Sequence, residues 1–426
     1  MNILFLTQII PYPPDAGPKV KTWHVLRYLV ECGHQVTLAS FVRPEEESHV
    51  STLQETCVAV HTVPIRRSRP ADIFYWLRSH LTGRPFLIER DDHDSMRALV
   101  ARLLASGKFD VIHADQLTMT QFALPANLQD GIHSMLKNGP VLIFDAHNAV
   151  WTIIERMSRN SSWLLRPIIA LEAWRVKRYE GLIIRHFDHI LAVTEVDRQA
   201  LSTAAESDFN DSDSSLPTIS VIPIAVDTTQ LQPITRQPGS ANILTLGTLH
   251  YPPNADGIRW FMQEVYPLIQ RQLPEATLTI IGKNPPKDFL ERASQKPQSI
   301  HVTGYVPDLI PYFEQAAVMV VPVRAGGGMR VRILEAFAQA MPTVTTTVGL
   351  EGIDACPGEE ILVADTPSDF ASAVVQLLQD ESLQTHLATK GRRMAEELYD
   401  WRVVLQKMDK IYNQIEPLTL SLVADR

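Results

Sequence analysis

The sequence predicts an α/β fold with two doubly wound parallel sheets. Short apolar runs of strand length alternate with amphipathic segments of helix length along most of the chain. Strand, helix and strand in repetition is typical of a parallel sheet with helices on both faces. The alternation is interrupted once, by a proline-rich segment, and then resumes. A chain of 426 residues fits two such domains better than one large sheet.

Each strand is predicted from a short apolar run. In the first half these runs are Ile3–Leu6, Val36–Phe41, Ala59–Val63, Val111–His113, Val141–Phe144 and Ile190–Val193. In the second half they are Ile243–Leu246, Thr277–Ile281, His301–Thr303, Val318–Val321, Thr343–Thr346 and Ile361–Val363. Amphipathic patterns between the runs predict helices, for example Val20–Glu31, Ser95–Ala105, Leu164–Ile184, Gly257–Gln272 and Phe370–Leu378.

The proline-rich segment marks the predicted boundary between the domains. Pro233, Pro238 and Gly239 follow the end of a strand, and these residue types are typical of linkers. We therefore predict a first domain in residues 1–230 and a second domain in residues 231–399.

Two further segments are assigned separately. Residues 205–215 are acidic and rich in serine, which predicts a mobile surface loop. The last segment, residues 400–426, is predicted to form a helix that packs back on the first domain.

The composition narrows the class of partner. Hydrophobic residues make up 45% and charged residues 20% of the chain, as in ordinary soluble globular proteins. The formal net charge of −9 argues against nucleic acid, which requires a basic face. The three cysteines are far apart and lack metal-like spacing. Because neither a signal peptide nor a membrane-spanning apolar run is evident, we expect a cytoplasmic location.

The most informative segment is Ala325–Phe337, which follows the predicted strand Val318–Val321. Three consecutive glycines allow the backbone to approach a ligand closely, because they have no Cβ. The N–H groups at a helix start favour negative charge, and arginine matches phosphate oxygens with a forked donor. A following carboxylate can accept hydrogen bonds from sugar hydroxyls. These features indicate a nucleotide or sugar phosphate at the carboxyl end of a parallel strand, where ligands bind in such folds. The alternative is a tight turn with solvated arginines and a local ion pair between Arg332 and Glu335.

Segments in order along nearly the whole chain resemble those of the GT-B glycosyltransferases of family 4, also called group 1. They are Pro11–Gly17, Gly33–Leu38, Ile222–Asp227, Leu246–Asn254, Val302–Val306, Gly326–Glu335, Leu350–Gly352 and Tyr399–Trp401. The chain resembles most the members with Gly-Gly-Gly-x-Arg-x-Lys before the helix glutamate, with Arg332 at the lysine position.

The resemblance implies two Rossmann-like domains that face each other across a cleft. It implies transfer of a sugar from a UDP- or GDP-linked nucleotide-sugar donor to a saccharide or lipid-linked acceptor, with retention at the anomeric carbon. No metal ion or other cofactor is implied. The first domain is expected to bind the acceptor and the second the donor, and polysaccharide or glycoconjugate biosynthesis is the expected setting.

The resemblance also assigns residues to the donor. The base is expected against Tyr305 and Val306, and the ribose hydroxyls on Glu335. Many relatives bind the donor sugar with a glutamate eight residues before the ribose glutamate, a position that is glycine here. Sugar contacts are therefore expected from the backbone N–H groups of Gly327, Gly328 and Met329.

The diphosphate needs a different source of positive charge here. Many relatives use an arginine and a lysine at positions that are Thr248 and Asn254 in this chain. Because a leaving diphosphate develops charge in the transition state, we assign that role to Arg330, with Arg332 as the second choice. The loop that ends at Gly17 is expected to approach the same phosphates.

Two strand ends in the first domain supply catalytic candidates. Asp115 stands where many relatives have a histidine, and is a candidate to orient the acceptor hydroxyl or to act as a base; the alternative is a polar strand-end residue or a helix cap. His147 ends the next strand and is a candidate to contact the donor sugar or the acceptor, or else is structural. His113 is expected to face inward. The Asp-x-Asp matches at Asp92–Asp94 and Asp211–Asp213 precede a helix and lie in the acidic loop, so neither is assigned to a metal.

Two segments of the first domain are basic and aromatic, in contrast to the acidic average. They are Arg66–Arg78 and Trp163–Arg178. Basic amphipathic helices bind anionic membranes, so we predict a peripheral contact with the inner face of the membrane. Core aromatic residues with solvated charges are the alternative.

Two rival functions remain open from the sequence. One is a GT-B enzyme of another class, such as a nucleotide-sugar epimerase or a phosphorylase. The other is a catalytically degenerate nucleotide-sugar-binding protein, which the missing family histidine, lysine and first glutamate would fit.

Overall fold

The computed structural model describes residues 1–124, 139–159, 161–207 and 216–424, with residues 416–424 described by their backbone alone. The chain divides into two compact domains. The first is made of Met1–Ile224 and Val404–Arg426, and the second of Ala225–Val403. Most of the predicted acidic loop, including Asp211–Asp213, lies outside the described residues.

The first domain is built on a parallel sheet of seven strands in the order β3-β2-β1-β4-β5-β6-β7. The strands are β1 Asn2–Thr7, β2 Gln35–Val42, β3 Ala59–Pro64, β4 Val111–Asp115, β5 Val141–Ala146, β6 His189–Ala192 and β7 Thr218–Val221. The helices are α1 Gly17–Glu31, α2 Val50–Thr56, α3 Arg69–Thr82, α4 Phe86–Asp91, α5 Asp94–Ser106, α6 Thr120–Ala123, α7 Val150–Arg159, α8 Arg166–His186 and α9 Glu195–Glu206. Because helices cover both faces of such a sheet, its strands are nearly continuous apolar runs.

The second domain is built on a parallel sheet of six strands in the order β10-β9-β8-β11-β12-β13. The strands are β8 Asn242–Leu246, β9 Thr277–Ile281, β10 Ile300–Thr303, β11 Ala316–Val321, β12 Thr343–Thr345 and β13 Leu362–Val363. The helices are α10 Pro252–Trp260, α11 Tyr266–Gln272, α12 Lys287–Gln295, α13 Ile310–Gln315, α14 Val331–Ala338, α15 Thr347–Leu350, α16 Pro367–Gln379 and α17 Glu381–Met394. The two parallel α/β sheets confirm the predicted fold class.

One predicted helix is interrupted. The segment predicted as Gly257–Gln272 forms α10 and α11, joined by a π-helical turn at Phe261–Val265. Pro267 has no N–H group to donate to the carbonyl of Gln263, and this gap in the hydrogen-bond ladder accounts for the wider turn.

The last helix, α18 Trp401–Ala424, contributes its greater part to the first domain. It buries an apolar stripe at helical spacing, formed by Val404, Leu405, Met408, Ile411, Tyr412 and Ile415. The Tyr28 hydroxyl of α1 donates a hydrogen bond of 2.7 Å to Oδ1 of Asp409. The helix is therefore part of the first domain's core.

No helix in the described ranges combines the length and the apolar character that a membrane span requires.

Candidate active site

The carboxyl ends of β1, β4 and β5 form a buried polar cluster in the first domain. Thr7, Asp115 and Asp145 lie in register on these neighbouring strands. The Asp115 carboxylate is fully buried. Its Oδ2 accepts hydrogen bonds from the hydroxyls of Thr7 and Thr22, each at 3.0 Å, and its Oδ1 lies 2.7 Å from Nε2 of His147. Both oxygens of the Asp115 carboxylate therefore have partners within the domain.

His147 has one ring nitrogen without a hydrogen-bond partner among the described residues. The side chain is 7% exposed, and its Nδ1 has no hydrogen-bond partner among the described residues. Because Asp115 already accepts from two hydroxyls, we assign Nε2–H of His147 as its third donor. That tautomer leaves a lone pair on Nδ1, which can accept a proton or a hydrogen bond from a sugar hydroxyl.

A second network surrounds Asp145. The Nζ of Lys21, a side chain only 2% exposed, donates to Oδ1 of Asp145. Nε2 of His113 lies 3.6 Å from Oδ2, and the His113 ring stacks on Phe5 with 4.5 Å between centroids. On the other side of the ring, Nδ1 lies 3.1 Å from the Tyr412 hydroxyl. Burial raises the pKa of Asp145, but the Lys21 ammonium and the nearby histidines hold it below its ordinary value.

One ligand atom from each of Asp115, Asp145 and His147 lies within 4.8 Å of the others, a spacing that a metal ion would tolerate. The Lys21 ammonium already provides a cation to Asp145, and hydroxyl donors fill Asp115. The carboxylates are therefore partnered by the chain's own side chains.

Thr7, Lys21 and Thr22 were missed in the sequence. None of them belongs to a motif, and they come from β1 and α1, far in sequence from Asp115 and Asp145. One signal was available. Lys21 follows the apolar Val20 on α1, and both residues are buried; a buried lysine needs a partner.

Gly17, expected at the phosphates, is the first residue of α1. Close to it, the ammonium of Lys19 lies 3.1 Å from Glu46 and 3.6 Å from Asp15. Two carboxylates therefore hold the Lys19 ammonium at the start of α1. Gly17 itself remains a predicted contact.

Asp92, in the first Asp-x-Asp match, is held by two arginines. Its carboxylate lies 2.8 Å from Arg84 and 2.6 Å from Arg97. Burial raises the pKa of Asp92, but the hydrogen bonds from Arg97 and Arg84 lower it below its ordinary value. These two ion pairs explain the position of Asp92, and no bound metal is needed to balance its charge.

In the second domain, β11 leads into the glycine loop and then into α14. Gly326 and Gly328 have φ angles of +109° and +83°, values that glycine adopts without the strain of a Cβ. Arg330 is the residue before α14, and its Nη1 donates a hydrogen bond of 2.7 Å to the carbonyl of Gly327. Its guanidinium is thereby fixed against the loop. Met329 is buried.

Arg332 and Glu335 lie half-buried in the first turns of α14. Within the part of the chain that the structure describes, neither side chain forms a hydrogen bond or an ion pair. The local ion pair considered as an alternative is therefore not formed. Burial lowers the pKa of Arg332 and raises the pKa of Glu335, and the charge of each residue partly offsets the shift of the other. Two desolvated charges without direct partners are costly, which is typical of a ligand site.

Tyr305 and Val306 follow β10 in the same sheet. The Tyr305 ring is 63% exposed, and the ammonium of Lys283, which follows β9, lies 4.6 Å from its centroid. Val306 is half-buried. Lys283 was not predicted as a site residue, since nothing in its local sequence marks it.

Close backbone packing holds the start of the glycine loop. Gly257 of α10 lies so near Pro322 that an added Cβ would be 2.0 Å from the proline carbonyl oxygen. Gly257→Ala is therefore expected to lower the free energy of unfolding by about 1–3 kcal/mol, because backbone must move to admit the methyl group. Urea denaturation measures this effect.

Gly304→Ala is the matched control for that substitution. A Cβ at Gly304 would meet nothing within 4 Å, so we expect a change within about 0.5 kcal/mol. Equal destabilisation by the two substitutions would contradict the packing argument.

Two family models match the chain. Residues 16–206 match the Glycosyl transferase 4-like domain, and residues 240–380 match Glycosyl transferases group 1. Each match falls within one of the two domains.

Curated relatives are similar over different lengths. The chain is 24% identical over 179 residues to an uncharacterized protein in the cps region of Klebsiella pneumoniae, covering 40% of this chain and 46% of that protein. It is 26% identical over 269 residues to a glycogen synthase of Mycobacterium tuberculosis, covering 60% of each. It is 25% identical over 415 residues to the MMP alpha-(1->4)-mannosyltransferase of Mycolicibacterium hassiacum, covering 93% of this chain and 94% of that enzyme. The matches thus span less than two thirds of the first two relatives.

Solved structures share the architecture. Sucrose-phosphate synthase of Thermosynechococcus elongatus matches with a TM-score of 0.67 at 16% identity, over 98% of this chain and 100% of that one. HepE of Anabaena in complex with UDP-glucose matches with a TM-score of 0.65 at 12% identity, over 97% and 100%. These matches confirm the predicted GT-B fold. The chain thus carries a Glycosyl transferase 4-like domain in residues 16–206, followed by a Glycosyl transferases group 1 domain in residues 240–380.

Proposed function

We propose that the protein transfers a sugar from a UDP- or GDP-linked donor to a saccharide or lipid-linked acceptor, with retention at the anomeric carbon and without a metal or other cofactor. The observation that carries the proposal is the pair Arg332 and Glu335, half-buried beside a glycine loop at the end of β11 with no partner among the described residues. The mannosyltransferase relative and the UDP-glucose complex of HepE support a nucleotide-sugar donor.

In this proposal the second domain binds the donor. Glu335 accepts hydrogen bonds from the ribose hydroxyls, and the base lies against Tyr305 and Val306. Arg330, fixed at the start of α14, faces the diphosphate, where negative charge develops as the sugar leaves. Arg332 adds a second positive charge. The backbone N–H groups of the glycine loop bind the sugar, namely those of Gly327, Gly328 and Met329.

In the first domain, His147 is the group that meets a substrate hydroxyl. Its Nδ1 accepts the hydrogen bond, while Asp115 fixes the tautomer and the ring through Nε2. Asp115 is then a positioning residue, a role that its buried carboxylate and two threonine donors support.

The setting we propose is polysaccharide or glycoconjugate assembly in the cytoplasm. A lipid-linked acceptor would bring the reaction to the inner face of a membrane, with peripheral contact to anionic lipid. This part of the proposal rests on family resemblance and on the basic, aromatic segments of the first domain.

Thermal unfolding with UDP, GDP, ADP and their sugar conjugates tests the donor site. We expect one nucleotide to stabilise the protein, by about 2.7 kcal/mol at a concentration 100 times its dissociation constant. Arg330→Ala is expected to lower the affinity for that nucleotide by about 10- to 100-fold, the usual effect of losing a charge-assisted hydrogen bond.

Arg324→Ala is the matched control, because Arg324 lies in the same connection between β11 and α14 but is exposed and pairs with Asp256. It should bind the nucleotide like the wild type. An absence of stabilisation by every nucleotide would contradict the proposal. Binding without transfer to any acceptor would favour the binding protein, and isomerisation of the donor alone would favour an epimerase.

A further inference from the structure

Helix α3 exposes its apolar side chains and buries a polar one. Ile73, Phe74, Leu77 and Leu81 are 62%, 60%, 52% and 89% exposed, and their spacing puts them on one face. The residue of α3 that is buried is Ser79. An amphipathic helix in a globular domain normally buries its apolar face, whereas α3 exposes it.

Helix α8 and the turn before it expose a second apolar stripe. Trp163 and Leu164 in the turn are 81% and 62% exposed, and Ile168, Leu171 and Trp174 are 45%, 41% and 53% exposed. These positions recur every three or four residues along the helix. The opposite side of α8 is buried in the domain.

The helices that carry the two apolar stripes are neighbours in the first domain. Nη1 of Arg175 in α8 donates to the Ser79 hydroxyl of α3 at 3.4 Å, and the Phe86 N–H donates to Oε1 of Glu172 at 2.6 Å. We call the two exposed stripes together the α3–α8 surface; it comprises Ile73, Phe74, Leu77, Leu81, Trp163, Leu164, Ile168, Leu171 and Trp174. Of the 22 exposed large hydrophobic side chains among the described residues, 12 lie within residues 73–81 and 157–174. Such concentration marks an interaction surface.

Exposed arginines lie at the start of both helices of the α3–α8 surface. Arg69 and Arg166 are the first residues of α3 and α8, and both are exposed. Within the described residues neither has an ion pair, and the same holds for exposed Arg66. A cation at a helix N-terminus opposes the helix dipole, so these arginines do not stabilise their helices. A negatively charged partner would supply the counter-charge that these arginines lack among the described residues.

We propose that the α3–α8 surface binds the anionic face of a lipid bilayer. The tryptophans and leucines enter the boundary between headgroups and acyl chains, and the arginines contact the headgroups. A second copy of this chain would cover the apolar side chains but would bring like charges together. The inference rests on the membrane contact of the proposed function and names the surface that makes it. Its test is separate from sugar transfer, because vesicle binding requires no donor.

Vesicle co-sedimentation of the full chain tests this inference. We expect binding to phosphatidylcholine vesicles that contain phosphatidylglycerol, weakening as salt is added, and little binding to phosphatidylcholine alone. Arg69→Glu/Arg166→Glu should weaken binding at least about tenfold, since each basic residue near an anionic surface contributes about fivefold. Leu81→Ser/Trp163→Ser should weaken it at least about tenfold through lost apolar burial.

Two control variants match these substitutions elsewhere on the surface. Leu290→Ser removes an exposed leucine of α12, and Arg102→Glu reverses an exposed charge of α5; both should bind vesicles like the wild type. Because all the substituted side chains are exposed, melting temperatures and nucleotide stabilisation should stay unchanged in every variant.

Three results would overturn the inference. The wild type would fail to bind anionic vesicles, or the surface variants would bind as tightly as the controls. In the third, sedimentation velocity would show self-association that Leu81→Ser/Trp163→Ser abolishes, without vesicle binding, and the surface would then join two copies of the chain.

Discussion

Lys21→Met is expected to lower the free energy of unfolding of the first domain by about 3–5 kcal/mol, the usual cost of removing one partner of a buried ion pair. The Lys21 side chain is 2% exposed and that of Asp145 is fully buried. Without the ammonium, the carboxylate keeps only His113, at 3.6 Å. Chemical denaturation at neutral pH, with hydrogen exchange at the amides of β4 and β5, measures the loss in this domain.

The double variant Lys21→Met/Asp145→Asn separates charge from packing. It removes both charges, so we expect it to recover most of the lost stability. Lys108→Met replaces an exposed lysine of the same domain and should change stability by less than about 0.5 kcal/mol. If the double variant were as unstable as Lys21→Met, the buried charge would not be the cause.

The effect of Lys21→Met should depend on pH. The folded-state pKa of Asp145 lies below its ordinary value, which is about 3.9 for an unfolded chain. Stability from this pair is therefore complete above about pH 4 and is lost as the pH falls towards the folded-state pKa. The difference between wild type and Lys21→Met should be largest at neutral pH and should narrow below about pH 4.

Glu335→Gln is expected to lower donor affinity by about 10- to 100-fold without destabilising the ligand-free protein. A carboxylate that accepts from ribose hydroxyls contributes about 1.5–3 kcal/mol, and the amide cannot replace it at both hydroxyls. Burial raises the pKa of Glu335 in the ligand-free protein, so a neutral amide relieves a desolvated charge. Calorimetric titration with the donor and thermal unfolding without it measure the two effects.

Glu314→Gln is the control for this substitution, because Glu314 is an exposed carboxylate of α13 in the same domain. It should leave both measurements unchanged. If Glu335→Gln bound the donor as tightly as the wild type, the assignment of Glu335 to the donor site would be contradicted. A lowered melting temperature together with weaker binding would indicate a structural role.

The strands could be predicted because parallel sheets bury both faces and leave apolar runs in the sequence. The predictions stopped short where polar residues continue a strand. The run Val111–His113 was predicted, but β4 extends to Asp115, and β5 extends beyond Phe144 to Ala146. Asp115 and Asp145 are buried because side chains of other elements bind them, and hydrophobicity cannot report that.

The two candidate sites differ in how much the local sequence reveals. The glycine loop and α14 are contiguous, so the segment from Gly326 to Glu335 carries most of the predicted donor site. The polar networks of Asp115 and Asp145 include Thr7 and Lys21 from the start of the chain and Tyr412 from its last helix. The strand order β1-β4-β5 and the packing of α1 and α18 on the sheet bring these residues together, and a local segment of sequence reveals neither.

The assignment of α18 to the first domain has a consequence for synthesis of the chain. The second domain, Ala225–Val403, is continuous and can be completed on the ribosome before the first. Folding of the first domain can be completed only after α18 is synthesised, because this helix supplies Tyr412 to His113 and Asp409 to Tyr28. A fragment that stops at Ile224 would therefore expose the surface that α18 covers, and a stable isolated first domain requires that helix to be joined to it.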